Sequence, residues 1–331
     1  MQPFTLTLPN AAIVTGLANI PAAPTTPDAP PRPLVVALHG GSHSAHYYDF
    51  DASHTAAPLS TALSVPFIAI NRPGYLASTS FLPLPPSDTR AHFEVHGAWL
   101  HAHILPLLWT TYGARARCNA IVLFAHSLGA PGAVVCAALH AADAAPAYPL
   151  CGLVFSGFGA RLKPGFAPFD VPAAAGADEG WRTLPPALKG PALLPPGTAA
   201  EGVRARYEGD ARLNTRVHAD ETASAAREWF PRWRAEWARQ LAVPVMVGLA
   251  GEEAMWEVSE EHVEELRAGF GGGVGGRGNR VDVSLIPGAP HNLEISYWAQ
   301  GWYARTLGFA LECAAEFEVR RQGREASAGT V

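Results

Sequence analysis

The sequence predicts an α/β protein built on an open, mostly parallel sheet with helices on both faces. Short apolar runs that end at tight turns are typical of strands buried inside a parallel sheet. Helical stretches alternate with these runs, and strands joined in this way form right-handed parallel crossovers. In the second half of the chain, Pro- and Gly-rich turns and a Trp-containing helix replace this alternation. We expect that part to be a helical cap inserted between the later strands.

The predicted elements follow one another in a regular order. The segment from Pro21 to Pro33 is crowded with proline, which removes backbone donors, and is therefore predicted to be a loop. Strands are predicted near Phe4 to Leu8, Leu34 to Leu38, Pro66 to Ile70, Ala120 to Ala125, Gly152 to Phe155, Val243 to Leu249 and Val281 to Ile286. Helices are predicted from about Ala91 to Tyr112, Leu128 to Ala142 and Trp256 to Phe270, and after Asn292.

These elements predict one domain with an insertion, which the length of 331 residues accommodates. The α/β core is expected over residues 1–157 and 242–320, the cap over 158–241, and a disordered tail over 321–331. Within the cap, Trp229, Trp233 and Trp237 recur every four residues and therefore lie on one helical face. We expect that face to pack on the core, with some of its indoles lining an apolar pocket.

Composition excludes several classes of partner. The formal net charge of −5 gives no electrostatic footprint for nucleic acid. The N-terminal segment lacks the features of a signal peptide, and no apolar run approaches the roughly 18 residues of a membrane span. The four cysteines lie far apart without a CxxC pair, which favours reduced thiols. We therefore expect a cytoplasmic protein with no membrane span, and a homodimer is compatible with the composition.

Two further patterns fail the tests for a metal or phosphate site. The histidines cluster near residues 39–46 and 92–103, but no HExxH motif or zinc-ligand spacing stands among them. The glycine-rich segment at 271–278 follows a helix and precedes a strand, the reverse of a phosphate-binding loop. We expect a flexible connector there, and no metal or cofactor.

The segment Ala125-His126-Ser127-Leu128-Gly129 carries the most chemical information. It matches the GxSxG pattern with alanine in place of the first glycine, between a predicted strand and helix. A serine on such a turn exposes its hydroxyl at a helix N-terminus, although a helix N-cap is the alternative interpretation. The glycines of His39-Gly40-Gly41 follow an earlier strand, where the N–H of Gly41 is expected to complete an oxyanion hole with that of Leu128.

A general base and its acid are predicted further along the chain. His291 lies in the turn after the last predicted strand, where its imidazole can reach back toward Ser127. The supporting carboxylate is expected after the strand Val243 to Leu249, where the turn contains Glu252 and Glu253. This gives the chain order serine, acid, histidine.

Four motifs together resemble the α/β-hydrolase superfamily: HGG at 39–41, NRPGY at 71–75, AHSLGA at 125–130 and GAPHN at 288–292. Members of that superfamily usually carry an aspartate about three residues after the glycine of the acid turn, a position that Ala254 occupies here. Glu253 is then the first choice for the acid, Glu252 the second and Glu294 the third, since such triads accept either Asp or Glu.

The resemblance implies a cofactor-independent serine hydrolase with an apolar small-molecule substrate. The expected substrates are carboxylic esters, lactones or thioesters, cleaved through an acyl-enzyme. Residues expected to contact the substrate are Gly40, Tyr75, His126, Trp229 and Trp233. Two alternatives stay open: a carbon–carbon bond hydrolase or cyclase that uses the same site, and a small-molecule receptor that has kept the fold without catalysis.

Overall fold

The computed structural model of the chain describes residues 1–26, 29–166, 180–272 and 278–328. Its central sheet has eight strands in the order β1-β2-β4-β3-β5-β6-β7-β8. These are β1 Gln2–Thr7, β2 Ile13–Asn19, β3 Pro33–Leu38, β4 Phe67–Ile70, β5 Ala120–His126, β6 Leu150–Ser156, β7 Val245–Glu252 and β8 Val281–Pro290. β2 runs antiparallel to both neighbours, and every pairing from β4 to β8 is parallel. The prediction of an open, mostly parallel sheet is confirmed.

Helices cover both faces of this sheet, as predicted. They are α1 Ala57–Ala62, α2 His92–Trp99, α3 Leu105–Leu108, α4 Gly129–Ala142, α5 Pro186–Leu193, α6 Glu201–Gly209, α7 Ala219–Ser224, α8 Phe230–Glu236, α9 Glu260–Gly271 and α10 Ala299–Ala328. Two π-helical segments, Leu100–Ile104 and Trp109–Gly113, continue the helix of α2 and α3. Alternate residues of β3 enter two separate cores, one with α4 and α9 and the other with α10. Burial on both faces explains the unbroken apolar run in that strand.

Strand β2 was not predicted from the sequence. Its interior residue Gly16 weakens the apolar pattern, and glycine in a strand often marks a close approach of another backbone. A Cβ on Gly16 would lie 2.2 Å from the carbonyl oxygen of Ala69 in β4. Gly16, which weakens the strand pattern in the sequence, is therefore also the residue that lets β2 pair closely with β4.

The end of the chain differs from the disordered tail predicted over 321–331. Helix α10 continues to Ala328, and residues 329–331 lie outside the described ranges. Arg321 forms ion pairs with Glu318 and Glu325, three residues before it and four after it. Such pairs stabilise a helix, which explains how a polar segment extends it.

The insertion, residues 158–241, lies between β6 and β7 and contributes α5 to α8 and a two-stranded antiparallel sheet of Trp181–Arg182 with Val217–His218. Residues 167–179 of it lie outside the described ranges, as do residues 273–277 of the predicted glycine-rich connector. No described helix is long and apolar enough to cross a membrane. The role of the insertion as a cap stays a prediction.

A buried ion pair joins the insertion to the core. The Arg72 guanidinium lies 2.6 Å from a carboxylate oxygen of Glu221 in α7, and both side chains are almost fully buried. The hydroxyl of Tyr75 donates to the other oxygen of Glu221 at 2.7 Å. Two residues of the NRPGY motif therefore fasten α7 to the turn after β4.

Removing one partner of this ion pair should destabilise the fold strongly. Arg72→Met leaves the Glu221 carboxylate buried without its cation, and we expect the free energy of unfolding in urea to fall by about 3–5 kcal/mol. The double variant Arg72→Met/Glu221→Gln should lose less of its free energy of unfolding than Arg72→Met alone. Arg90→Met, which breaks an exposed pair with Asp88, should change the free energy of unfolding far less. Equal losses at the two arginines would contradict this account.

Candidate active site

Ser127 occupies a strained turn between strand β5 and helix α4. Its φ angle of 49° lies in the left-handed region, which side chains other than glycine rarely adopt. The backbone N–H of Ser127 donates to the carbonyl of Ser156 at 2.9 Å. A Cβ on Gly129 would lie 2.7 Å from the carbonyl oxygen of Leu38, so the close approach of helix to strand requires glycine there. This is the strand-to-helix turn that the AHSLGA motif predicts.

His291 and Glu253 form a buried pair at the carboxyl ends of β8 and β7. The Nδ1 atom of His291 lies 2.7 Å from Oε1 of Glu253, and the two side chains are 1% and 0% exposed. A carboxylate at Nδ1 holds the imidazole proton on that nitrogen and leaves Nε2 free to accept a proton. The pair thus has the geometry of a general base supported by an acid.

The structure distinguishes the two glutamates that the sequence left open. Glu252 is still part of strand β7, in register with Pro290 of β8, and its side chain is exposed. Glu253 is the next residue, 2% exposed, and consecutive residues of an extended chain point in opposite directions. Only Glu253 of the two therefore reaches His291.

The third choice, Glu294, belongs to a separate buried network. Its carboxylate accepts hydrogen bonds from Tyr47 at 2.5 Å, Ser156 at 2.6 Å and the Trp302 indole at 3.0 Å. Burial raises the pKa of Glu294. The Nδ1 atom of His126 contacts the Ser156 hydroxyl at 3.0 Å. Since His126 directly precedes Ser127, this network supports the nucleophile turn.

The loop after β3 lies directly against the nucleophile turn. A Cβ on Gly40 would lie 2.9 Å from the His126 ring and 3.0 Å from the Cβ of Ser127. A Cβ on Gly41 would lie 2.6 Å from the Leu128 side chain. These short distances place the loop directly against Ser127 and the Leu128 side chain, where an oxyanion hole would lie.

The insertion holds this loop by its carbonyl groups. The carbonyl oxygen of Ser42 accepts hydrogen bonds from the Thr215 N–H at 3.0 Å and the Lys189 ammonium at 3.1 Å. The Thr215 hydroxyl donates to the carbonyl of His43 at 2.8 Å. Burial lowers the pKa of Lys189 well below its usual value. The loop position therefore depends on Lys189 and Thr215, which lie 147 and 172 positions from the carbonyl groups they bind.

Two cavities meet at Ser127. An aliphatic lobe of about 80 Å³ also borders His291 and is walled by Leu184, Leu193 and Val217. An aromatic lobe of about 20 Å³ is walled by Phe158, Trp229 and Trp256. Leu128 and Met255 border both lobes. A bound molecule can therefore extend to two sides of the serine.

The expected substrate contacts divide into two groups. Trp229 lines the aromatic lobe, and Gly40 lies beside Ser127. Tyr75, His126 and Trp233 are instead packed within the protein. Tyr75 is engaged by Glu221, His126 stacks on Tyr47 at 4.4 Å, and Trp233 packs on Phe270 at 5.1 Å. The expectation that these three side chains contact the substrate came from motif position and helical spacing, which do not show that other residues cover them.

Sequence reasoning missed His43 and the aliphatic wall. His43 lines the aliphatic lobe two residues after Gly41, so its place in the HGG loop was the available signal. Leu184, Leu193 and Val217 belong to the insertion, where no motif marks them. Within the described residues, no group of three His, Cys, Asp or Glu side chains is arranged to hold a metal ion.

Five histidines around the site are held in the neutral form. Burial lowers the pKa values of His39, His43, His96 and His126 well below the usual 6.5, and that of His92 to about 4. Neighbouring cations, including Arg72 and Lys189, add to the effect. Each of these side chains takes up a proton more readily in the unfolded chain than in the folded one.

The protein should therefore lose stability as the pH falls below about 6.5. The unfolded state binds more protons in that range. Each such histidine therefore lowers the free energy of unfolding by up to about 1.4 kcal/mol per pH unit. Glu294 acts in the opposite direction, but one carboxyl does not reverse the effect of five imidazoles. Urea unfolding at pH 7.5 and 5.5 measures the loss. His96→Gln should reduce the pH dependence by about one proton.

Comparison with known proteins identifies the fold independently. No curated protein matches the sequence. Among solved structures, a monoacylglycerol lipase from Paleococcus ferrophilus is similar with a TM-score of 0.59 and 17% identity, over 86% of this chain and 97% of that one. A soluble variant of monoglyceride lipase from Saccharomyces cerevisiae gives 0.61 and 12%, over 95% of each chain. A haloalkane dehalogenase variant from Bradyrhizobium elkanii gives 0.55 and 15%, over 95% and 98%.

The names of these proteins indicate different reactions, although their structures share one fold. Their similarity to this chain therefore concerns architecture alone. The model of a sequence family described as the alpha/beta hydrolase family matches residues 35–313. Since that match spans most of the 331 residues, the chain belongs to the alpha/beta hydrolase family.

Proposed function

We propose that the protein is a serine hydrolase that cleaves a carboxylic ester, lactone or thioester of an apolar small molecule. One observation carries the proposal: Ser127, on its strained turn, borders the same cavity as His291, whose Nδ1 is bonded to the buried Glu253. Nucleophile, base and acid in this arrangement are the requirements of acyl transfer through a covalent intermediate.

The proposed reaction has two halves. Ser127 Oγ attacks the substrate carbonyl while His291 Nε2 takes the hydroxyl proton, and Glu253 stabilises the resulting imidazolium. The N–H groups of Gly41 and Leu128 hold the negative oxygen of the tetrahedral intermediate. Collapse expels the alcohol or thiol, which takes the proton from His291. A water molecule then attacks the acyl-serine with His291 as base, and the carboxylic acid leaves as His291 returns the proton to Ser127 Oγ.

The two lobes indicate what the substrate looks like. An ester bound at Ser127 has an acyl part and an alcohol part, and each needs space on its own side of the carbonyl carbon. The aliphatic lobe provides one such space, and the aromatic lobe, with room for about one water molecule, lies on the other side of Ser127. We assign a short acyl chain to the aliphatic lobe and place the apolar alcohol part on the side of the aromatic wall. That two of the similar structures are lipases is in line with ester chemistry.

A pre-steady-state assay with p-nitrophenyl esters of acetate and butyrate tests the proposal. We expect a burst of about one nitrophenolate per protein followed by slower turnover, because deacylation follows the release of the alcohol. No release above the uncatalysed rate, combined with turnover of a β-diketone, would assign the same residues to carbon–carbon bond hydrolysis. Silence toward both substrates would favour the receptor alternative.

A further inference from the structure

His43 is a polar side chain of the aliphatic lobe that the proposed mechanism does not use. It follows the oxyanion glycines, borders the lobe together with Ser127 and His291, and is 1% exposed. Its position is fixed from two directions: Thr215 holds its carbonyl group, and its Nε2 atom lies 3.0 Å from the hydroxyl of Tyr207. An imidazole held in this way is placed for binding.

One nitrogen of His43 lacks a partner. Within the part of the chain that the structure describes, Nδ1 is buried and has no hydrogen-bond partner. A buried polar group in that condition costs free energy unless a ligand or water satisfies it. Thr222, which also lines the lobe, already donates its hydroxyl to the carbonyl of Ala219 at 3.0 Å. Since His43 borders the lobe, Nδ1 is the ring nitrogen that a bound molecule can still satisfy.

The protonation of His43 follows from its other nitrogen. Burial, with Lys189 nearby, lowers the pKa of His43, so the ring is neutral and carries one proton. Burial also raises the pKa of Tyr207, which keeps its hydroxyl proton. When that hydroxyl donates to Nε2, the imidazole proton lies on Nδ1. His43 then presents an N–H donor.

The donor lies close to the reacting centre. A Cβ on Gly40 would lie 3.0 Å from the Cβ of Ser127 and 3.3 Å from Nδ1 of His43, so both atoms surround the same point. A group hydrogen-bonded to Nδ1 is therefore only a few bonds from a carbonyl carbon attacked by Ser127. An oxygen atom in the acyl chain, two bonds from the carbonyl carbon, satisfies this spacing.

We propose that His43 is a specificity-determining residue whose Nδ1–H binds an oxygen atom in the acyl chain of the substrate, near the scissile carbonyl. This inference rests on the proposed hydrolase function and narrows its substrates to acyl groups that carry an ether, hydroxyl or keto oxygen. A purely hydrocarbon acyl chain leaves the donor unpaired, and sites built to hydrogen-bond a substrate discriminate against analogues that lack the bonding group.

Two isosteric esters test the inference. p-Nitrophenyl methoxyacetate and p-nitrophenyl butyrate differ by one oxygen in place of one methylene, and their intrinsic reactivities are corrected by their rates of alkaline hydrolysis. The corrected kcat/KM of the unmodified protein should favour methoxyacetate by about 10- to 100-fold, the worth of one buried hydrogen bond. His43→Leu should reduce this preference to about one.

Further variants separate binding from folding. Tyr207→Phe removes the hydroxyl that directs the His43 proton to Nδ1 and should also lower the preference. His43→Asn keeps an amide donor and should retain part of it. His46→Leu, in the same segment but in contact with Arg212, is the matched control and should leave the preference unchanged.

The outcomes distinguish the two proposals. If both esters are hydrolysed with a burst but the corrected preference is near one, or is the same in His43→Leu, the inference about His43 is overturned and the hydrolase proposal stands. If His43→Leu lowers kcat equally for both esters, the donor serves the oxyanion instead, and the inference is again overturned. If neither ester reacts, the hydrolase proposal fails and the inference fails with it.

Discussion

Ser127→Ala is expected to lower kcat for ester hydrolysis by about 10⁴- to 10⁶-fold. The substitution removes the atom that forms the acyl-enzyme, while the oxyanion donors and the two lobes remain, so KM should change little. Residual activity above the uncatalysed rate is expected from those remaining groups. The measurement is steady-state hydrolysis of a nitrophenyl ester, at a protein concentration high enough to detect the slow variant.

Folding must be excluded as the cause of such a loss. Ser127 is half-buried at the cavity, and alanine fits the space that its side chain leaves. Removal of the serine side chain should therefore leave the urea midpoint of the variant close to that of the unmodified protein. Ser53→Ala, at an exposed serine, is the matched control and should keep full activity. Retention of more than a few per cent of kcat in Ser127→Ala would contradict the role of this residue as nucleophile.

The second large effect is expected at Glu253. Glu253→Gln preserves the shape of the side chain, but an amide neither stabilises the imidazolium nor fixes the proton on Nδ1 of His291. We expect kcat to fall by about 10³- to 10⁴-fold, as removal of the carboxylate from a triad does elsewhere. The measurement is kcat on the same ester, with circular dichroism as the check on folding.

Glu252→Gln is a matched control one residue away. Its side chain is exposed at the end of β7, so the substitution should change kcat by less than about twofold. The pair of variants tests the geometry rather than the composition of the turn. A large loss of kcat in Glu252→Gln with none in Glu253→Gln would show that Glu252 is the acid, which contradicts the structure.

The parts of the site that could be predicted from the sequence are those fixed by local geometry. Ser127 stands between a buried strand and a small-residue helix, and that context alone requires a sharp turn. His291 follows the last strand of the sheet, so the order of strands determines which edge it reaches. The eight-stranded sheet itself was predictable except for β2, because strands buried on both faces produce continuous apolar runs.

The sequence did not decide between Glu252 and Glu253 as the acid for a different physical reason. Glu252 and Glu253 have the same side chain, and their roles depend on the residue at which β7 ends. A shift of one residue in an extended chain exchanges the buried and exposed sides. Boundaries of this kind are set by pairing with β8, which the sequence of the turn does not encode.

The walls of the cavity depend on contacts that are distant in sequence. Tyr75 was expected to meet the substrate, yet it donates to Glu221, 146 residues later. Lys189 and Thr215 hold the loop of Gly41, although no motif connects these segments. Such pairings arise from how the insertion packs on the core, so sequence patterns predicted the reacting groups better than their surroundings.

The most direct test of the hydrolase account is covalent labelling with a fluorophosphonate, followed by mass spectrometry of the intact protein and of its peptides. The account predicts one phosphonate per chain on the peptide that contains Ser127, no labelling of Ser127→Ala, and strongly slowed labelling of Glu253→Gln. Folded protein that stays unlabelled, or that is labelled at another residue, would contradict the assignment of Ser127 as nucleophile.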